Sequence, residues 1–93
     1  MDATNLYCIA LQARNKKVEA VFAAEFDKIE QAAEAGNFSI ILNNNNFTDE
    51  LIHYLVSHNF YVKYFRDDKD EWFDCYESSK ITWNLCSKIY VKW

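Results

Sequence analysis

The stretch Ile29-Glu30-Gln31-Ala32-Ala33-Glu34-Ala35-Gly36-Asn37-Phe38-Ser39-Ile40-Ile41-Leu42 decides the fold. Its alanine- and glutamate-rich first half is made of strong helix formers. Gly36, the only glycine in a chain without proline, follows at once. A left-handed residue is needed to end a helix there, and glycine adopts that conformation without a Cβ clash. Phe38, Ile40 and Leu42 then alternate onto one face, the period of a strand. Ile41 implies that the other face is partly covered too. The junction therefore predicts a helix that turns on Gly36 into the central strand of a sheet.

Upstream, residues 2–35 contain no helix breaker, and Asp2 or Thr4 is placed to cap the start. Leu11, Val18, Phe22, Ile29 and Ala33 step by fours and sevens along one stripe, which Val21, Phe26 and Ala32 widen. As one continuous helix this segment would be about 50 Å long, more than a small sheet can cover. Gln12 to Lys17 also interrupt the stripe. The half from Val18 is expected to pack on the sheet. Residues 1–17 are expected to fold back or to project as a helical arm, with Leu6, Tyr7, Ile9, Ala10 and Leu11 available to another molecule.

Downstream, Asn43 to Asn46 reads as a turn, and Thr48 as the cap of a second helix with Asp49 and Glu50 in its first turn. Phe47 and Ile52 have the spacing of a hydrophobic staple. Leu51, Ile52, Leu55 and Val56 form its buried stripe, and Asn59, the next-best left-handed residue, stops it. Phe60, Val62 and Tyr64 alternate with Tyr61, Lys63 and Phe65. The polar Asp67–Glu71 turn leads to a hairpin partner at Trp72–Tyr76. After a turn at Ser78-Ser79, residues 80–83 and 88–93 are two further strand candidates. The order is α-β-α-β-β-(β-β). It predicts one α+β (α/β) two-layer domain spanning residues 1–93, with a long N-terminal helix and one short helix on a small mixed sheet. The strand-helix-strand unit around residues 48–59 implies parallel pairing with a right-handed crossover.

Composition narrows the function classes. With 51% hydrophobic residues the chain is not disordered, and with 17% aromatic residues some rings must stay at the surface, where they serve partner binding. A net charge of −4 argues against a general binder of the nucleic-acid backbone. The longest apolar run, Ala20 to Ala24, is too short to span a membrane, and no basic segment precedes an apolar core at the start, so secretion by a standard route is not expected. Cys8, Cys75 and Cys86 lack metal or disulfide-scaffold spacing and are expected to be free, buried or half-buried thiols in a reducing compartment.

The candidate chemistries are weak. His53 and His58 are five residues apart on one helix, about 140° around its axis, unlike the i, i+4 pair of a zinc protease. Cys75 and Cys86 sit on neighbouring candidate strands without a zinc signature. Asp67, Asp68, Asp70, Glu71 and Asp74 lack the glycine and terminal glutamate of a calcium loop; with Arg66 and Lys69 among them they read as a solvated turn. Arg14, Lys16 and Lys17 form a short basic cluster of the kind usually solvated. No catalytic residue, cofactor or metal ligand is assigned, and no enzyme activity is expected.

The pattern KIEQAAEAGNFSIIL, the helix DELIHYLVSHNF, the run YVKYF and the closing Ile81-Thr82-Trp83 resemble small uncharacterised proteins of tailed bacteriophages and other large DNA viruses. In those proteins a "GY-x-V" strand follows the second helix; here Asn59-Phe60-Tyr61-Val62 stands in its place. The chain also continues past Trp83 to a second candidate ending, Ile89 to Trp93. The resemblance implies a viral source and a non-enzymatic, virion-associated protein assembled in the host cytoplasm. On that view it is a minor or auxiliary capsid or neck component that binds a larger virion protein or itself, with no direct nucleic-acid or membrane contact. The alternative is a small intracellular module made during infection that engages a host or viral protein. Leu6, Tyr7, Leu11 and Trp93, with the exposed face of the last strands, are the candidate partner-binding residues.

Overall fold

The structure, a computed structural model, describes residues 2–43, 46–76 and 81–93. It is an α+β two-layer domain in which helices cover one face of a four-stranded sheet. The helix that starts the chain is not continuous. It is divided at Phe22 into α1 (Ala3–Val21) and α2 (Ala23–Glu34). Phe22 leaves helical geometry at φ −108°, ψ 28°, yet its N–H still donates to Val18 O and its carbonyl still accepts from Phe26 N. Its ring is buried and stacks on Phe47. Val18, Phe22 and Ile29 reach the core across this bend, whereas Val21, expected on the stripe, is 63% exposed. Asp2 caps α1, its Oδ1 accepting from Asn5 N at 2.9 Å.

Both left-handed stops stand where expected. Gly36 has φ +87° and Asn59 φ +69°. Asn37 N donates to Ala32 O and Gly36 N to Ala33 O; Phe60 N donates to Leu55 O and Asn59 N to Val56 O. Each helix thus ends in a Schellman motif, which satisfies carbonyls that would otherwise lack partners. Helix α3 (Asp49–Ser57) begins after Thr48, whose extended backbone fits an N-cap although its hydroxyl makes no capping bond. Leu51, Ile52 and Leu55 supply its buried face, and the staple residues Phe47 and Ile52 are both buried. Burial of each such side chain contributes roughly 1.5–3 kcal/mol.

The sheet departs from the expected pairing. Strands β1 (Ser39–Asn43), β2 (Tyr61–Arg66), β3 (Glu71–Asp74) and β4 (Lys88–Lys92) lie in the order β1-β4-β2-β3, antiparallel throughout. Strands β1 and β2 do run parallel, but β4 separates them, so the crossover through α3 joins non-adjacent strands and β1 is an edge rather than the centre. The reason is burial. Ile89 and Val91 are both 0% exposed, which requires neighbours on either side, while β3 with Glu71 and Asp74 is suited to an edge by charge that discourages intermolecular pairing.

To reach the centre from β3 the chain must cross the end of α3, and this removes the strand expected at residues 80–83. Asp49 Oδ1 accepts from Trp83 Nε1 at 2.9 Å and Ile81 N at 3.4 Å, and Trp83–Leu85 forms a 3₁₀ turn. The final strand-plus-tryptophan is therefore β4 with Trp93. Lys80, the Ser78-Ser79 turn and the middle of the asparagine run lie outside the described residues. Phe38, expected on the core face, is 74% exposed: it precedes the strand, and its carbonyl accepts from Trp93 N at 3.1 Å.

Candidate binding surfaces

Alternation gives the sheet two unlike faces. Ile40, Leu42, Val62, Tyr64, Ile89 and Val91 point to the helices and belong to the core or pack on it. The residues between them point away. Ile41 pairs with Tyr90, Tyr90 with Lys63, Lys63 with Asp74, Phe65 with Trp72, and Tyr61 with Lys92. None of these outward residues joins the core cluster, and Ile41 (50%), Tyr61 (48%) and Trp72 (36%) remain exposed. The cover expected over Ile41 is absent among the described residues. A shallow groove of about 430 Å³ is lined here by Ile41, Tyr61, Lys63, Trp72, Tyr90 and Lys92.

The groove has a defined electrostatic layout. Tyr61 Oη donates to Asp74 Oδ1 at 2.6 Å, and Lys63 Nζ lies 3.9 Å from the same carboxylate. The bond to Asp74 raises the Tyr61 hydroxyl pKa, because ionisation would place two anions together. Lys88 Nζ sits 4.2 Å from the Phe65 ring centroid and 5.9 Å from that of Trp72, a cation–π arrangement. Phe65, Trp72 and Tyr90 meet edge to face, so the rings brace one another. Among the described residues, this outward face carries Lys63, Lys88 and Lys92 against one strand carboxylate, Asp74.

The second surface is the start of α1. From Ala3 to Ala13 the sequence has no charged residue, and Val18 is the first buried residue of the helix. Leu6 (52%), Tyr7 (68%) and Ile9 (58%) are exposed, and Leu11 is half-buried. Trp93 lies elsewhere: half-buried, it packs against the core rim at the end of β4. The four candidate partner-binding residues are therefore not one site. Leu6 and Tyr7 share the arm, Leu11 lies at its base and Trp93 supports the sheet. In comparisons with known proteins, no family model, curated protein or solved structure matches the chain.

The remaining chemical candidates have local explanations. His58 stacks on Tyr54 at 4.1 Å, and its Nδ1 lies 2.7 Å from Tyr54 O. Cys75 and Cys86 are buried free thiols as expected, but Cys8 is exposed, because it lies on the start of α1 before the helix reaches the core at Val18. Burial, then the neighbouring Cys86 and Asp74, push the Cys75 thiol up to about 12. Arg66 grips Asp68 through two bonds of 2.9 and 2.8 Å within the acidic turn, and that bonding lowers the Asp68 pKa. Among the described residues no group of three or more His, Cys, Asp or Glu side chains is placed to hold a metal ion, and no helix is long and apolar enough to cross a membrane. A cleft of about 390 Å³ lies between α1 and the start of α3, lined by Arg14, Lys17, Val18, Val21, Phe22, Thr48 and Glu50.

Sequence reasoning pointed to the exposed face of the last strands but named only Trp93 on it. The residues it passed over, Tyr61, Lys63, Tyr90 and Lys92, were visible as the second set in the alternations YVKYF and KIYVK.

Proposed function

We propose that this chain is a non-enzymatic binding protein of a virus particle, docking through the uncharged start of α1 onto a larger virion protein. The observation that carries the docking surface is the exposure of Leu6, Tyr7 and Ile9 on a helical segment without charged side chains. Such a helix suits an apolar groove, in the manner of helix-in-groove recognition. The viral setting rests on the resemblance of the helix-glycine-strand and helix-strand patterns. Leu11, half-buried at the base, would complete the contact as the helix leaves the groove.

The test is made on particles of the encoding virus. Mass spectrometry should find the chain in purified particles at fixed stoichiometry. A Leu6→Asp, Tyr7→Asp variant should fold normally by circular dichroism yet be missing from them. Absence of the unaltered chain from particles would reject the virion reading. Recovery from infected cells with a non-virion protein would replace it with the intracellular module, and a dimer that the variant abolishes would show that a second copy occupies the arm.

A further inference from the structure

We infer that the outward face of the sheet binds single-stranded nucleic acid. The inference goes beyond the docking role of the arm and uses none of its residues. Tyr90 stands near the middle of the face, between Ile41 of β1 and Lys63 of β2. Along its own strand, outward-facing Lys88 and Lys92 flank it, about 13 Å apart from one another at 3.3–3.4 Å per residue. Tyr61 lies across from Lys92, and Trp72 approaches Tyr90 edge to face at 6.4 Å. The result is an open groove of about 430 Å³ with aromatic side chains among its walls and ammonium groups beside them.

That arrangement selects its occupant. Protein interfaces are depleted of lysine, most of all at their centre, whereas here Lys63 is interleaved with the rings in the middle of the patch. Ring faces that stack bases, with cations that track the phosphates, are the pattern of sequence-tolerant single-strand binding. The net charge of −4 is not spread over this face. Its acids lie mainly on α2 (Glu25, Asp27, Glu30, Glu34) and in the hairpin turn (Asp67, Asp68, Asp70, Glu71). Asp74, the carboxylate of the face, is engaged by Tyr61 and Lys63. A duplex is a poorer fit, since its bases are stacked on one another and cannot reach the rings.

The experiment is fluorescence anisotropy with fluorescein-labelled twelve-nucleotide oligo-dT and oligo-U, a duplex of equal length, and a poly-glutamate peptide. The single strands should bind more tightly than either control. With Lys88 and Lys92 meeting phosphates while Lys63 offsets Asp74, log K should fall against log salt with a slope of about −1.4, at about 0.7 per phosphate contact. Tyr90→Ala and Tyr61→Ala should each weaken binding by roughly fivefold to a hundredfold, the range for loss of one stacked base. Lys92→Gln, at an exposed position, should shallow the slope by about 0.7, and Lys28→Gln on α2 should change nothing. If a tyrosine variant unfolds, Lys92→Gln decides. Absence of single-strand binding at low salt, equal or tighter binding of poly-glutamate or duplex, or an unchanged slope in Lys92→Gln would each overturn the inference. None of these outcomes bears on docking of the arm.

Discussion

Replacing Gly36 by alanine tests the junction on which the two layers are joined. Gly36 holds φ +87°, and a Cβ built there meets no atom within 4 Å. Steric overlap with the rest of the protein is therefore not the cost; backbone conformation is. An L-residue in left-handed geometry is penalised by about 1–2 kcal/mol, and alanine offsets about 0.4–1 kcal/mol by restricting the unfolded chain. The net loss is about 1 kcal/mol, or about 4–8 °C in Tm for a domain of this size. Gly36→Asn should lose less, because asparagine tolerates this region and already occupies it at Asn59. Gly36→Val should lose more, since a β-branched side chain is a true outlier there. Urea unfolding followed by circular dichroism measures all three, with an unchanged m-value as the sign that the states compared are the same. Two results would refute the reasoning. If alanine is stabilising, below the point at which the two terms cancel, the helix does not need a left-handed stop. If alanine costs more than about 3 kcal/mol, well beyond the conformational term, a contact at Gly36 has been missed.

Other outcomes follow from side chains that tie the layers together. Tyr54 Oη donates to Glu19 Oε1 at 2.8 Å and links α3 to α1; Tyr54→Phe should cost about 1 kcal/mol, and a double-mutant cycle with Glu19→Ala, which removes the acceptor, should recover a coupling of similar size. A coupling of zero would mean that the link does not form in solution. Iodoacetamide at pH 8 should label exposed Cys8 in the folded protein and reach buried Cys75 and Cys86 only on unfolding. Rapid labelling of Cys75 in the native state would contradict its burial. Because burial raises the Cys75 pKa from 9.0 to about 12, folding favours the neutral thiol. Stability from this group is full below about pH 9 and declines as pH rises toward about 12. Cys75→Ala should reduce that alkaline decline, leaving the parts due to Cys86, raised by burial, to Tyr54, raised by burial and by Glu19, and to Tyr61, raised by its bond to Asp74.

Much of this protein is written in local chemistry. Gly36 and Asn59 stop their helices by left-handed geometry, and Leu51, Ile52 and Leu55 mark the buried side of α3. Each of these signals spans only a few residues, so the sequence itself determined them, along with the two-layer α+β class. The alternations in β2 and β4 likewise separate two sets of side chains without long-range information. Tertiary structure decided which strands meet and which set faces water. The complete burial of Ile89 and Val91 draws the last strand between β1 and β2 and turns expected parallel pairing into an antiparallel sheet. Asp49, folded against Ile81 and Trp83, holds as a turn what alternation suggested was a strand. The same long-range choice places α2 and α3 over one face of the sheet, and this leaves Ile41, Tyr61, Lys63, Trp72 and Tyr90 outside the core on the other. Burial is a property of the assembled layers, not of any single stretch, so only the fold could show that these rings and lysines form one surface.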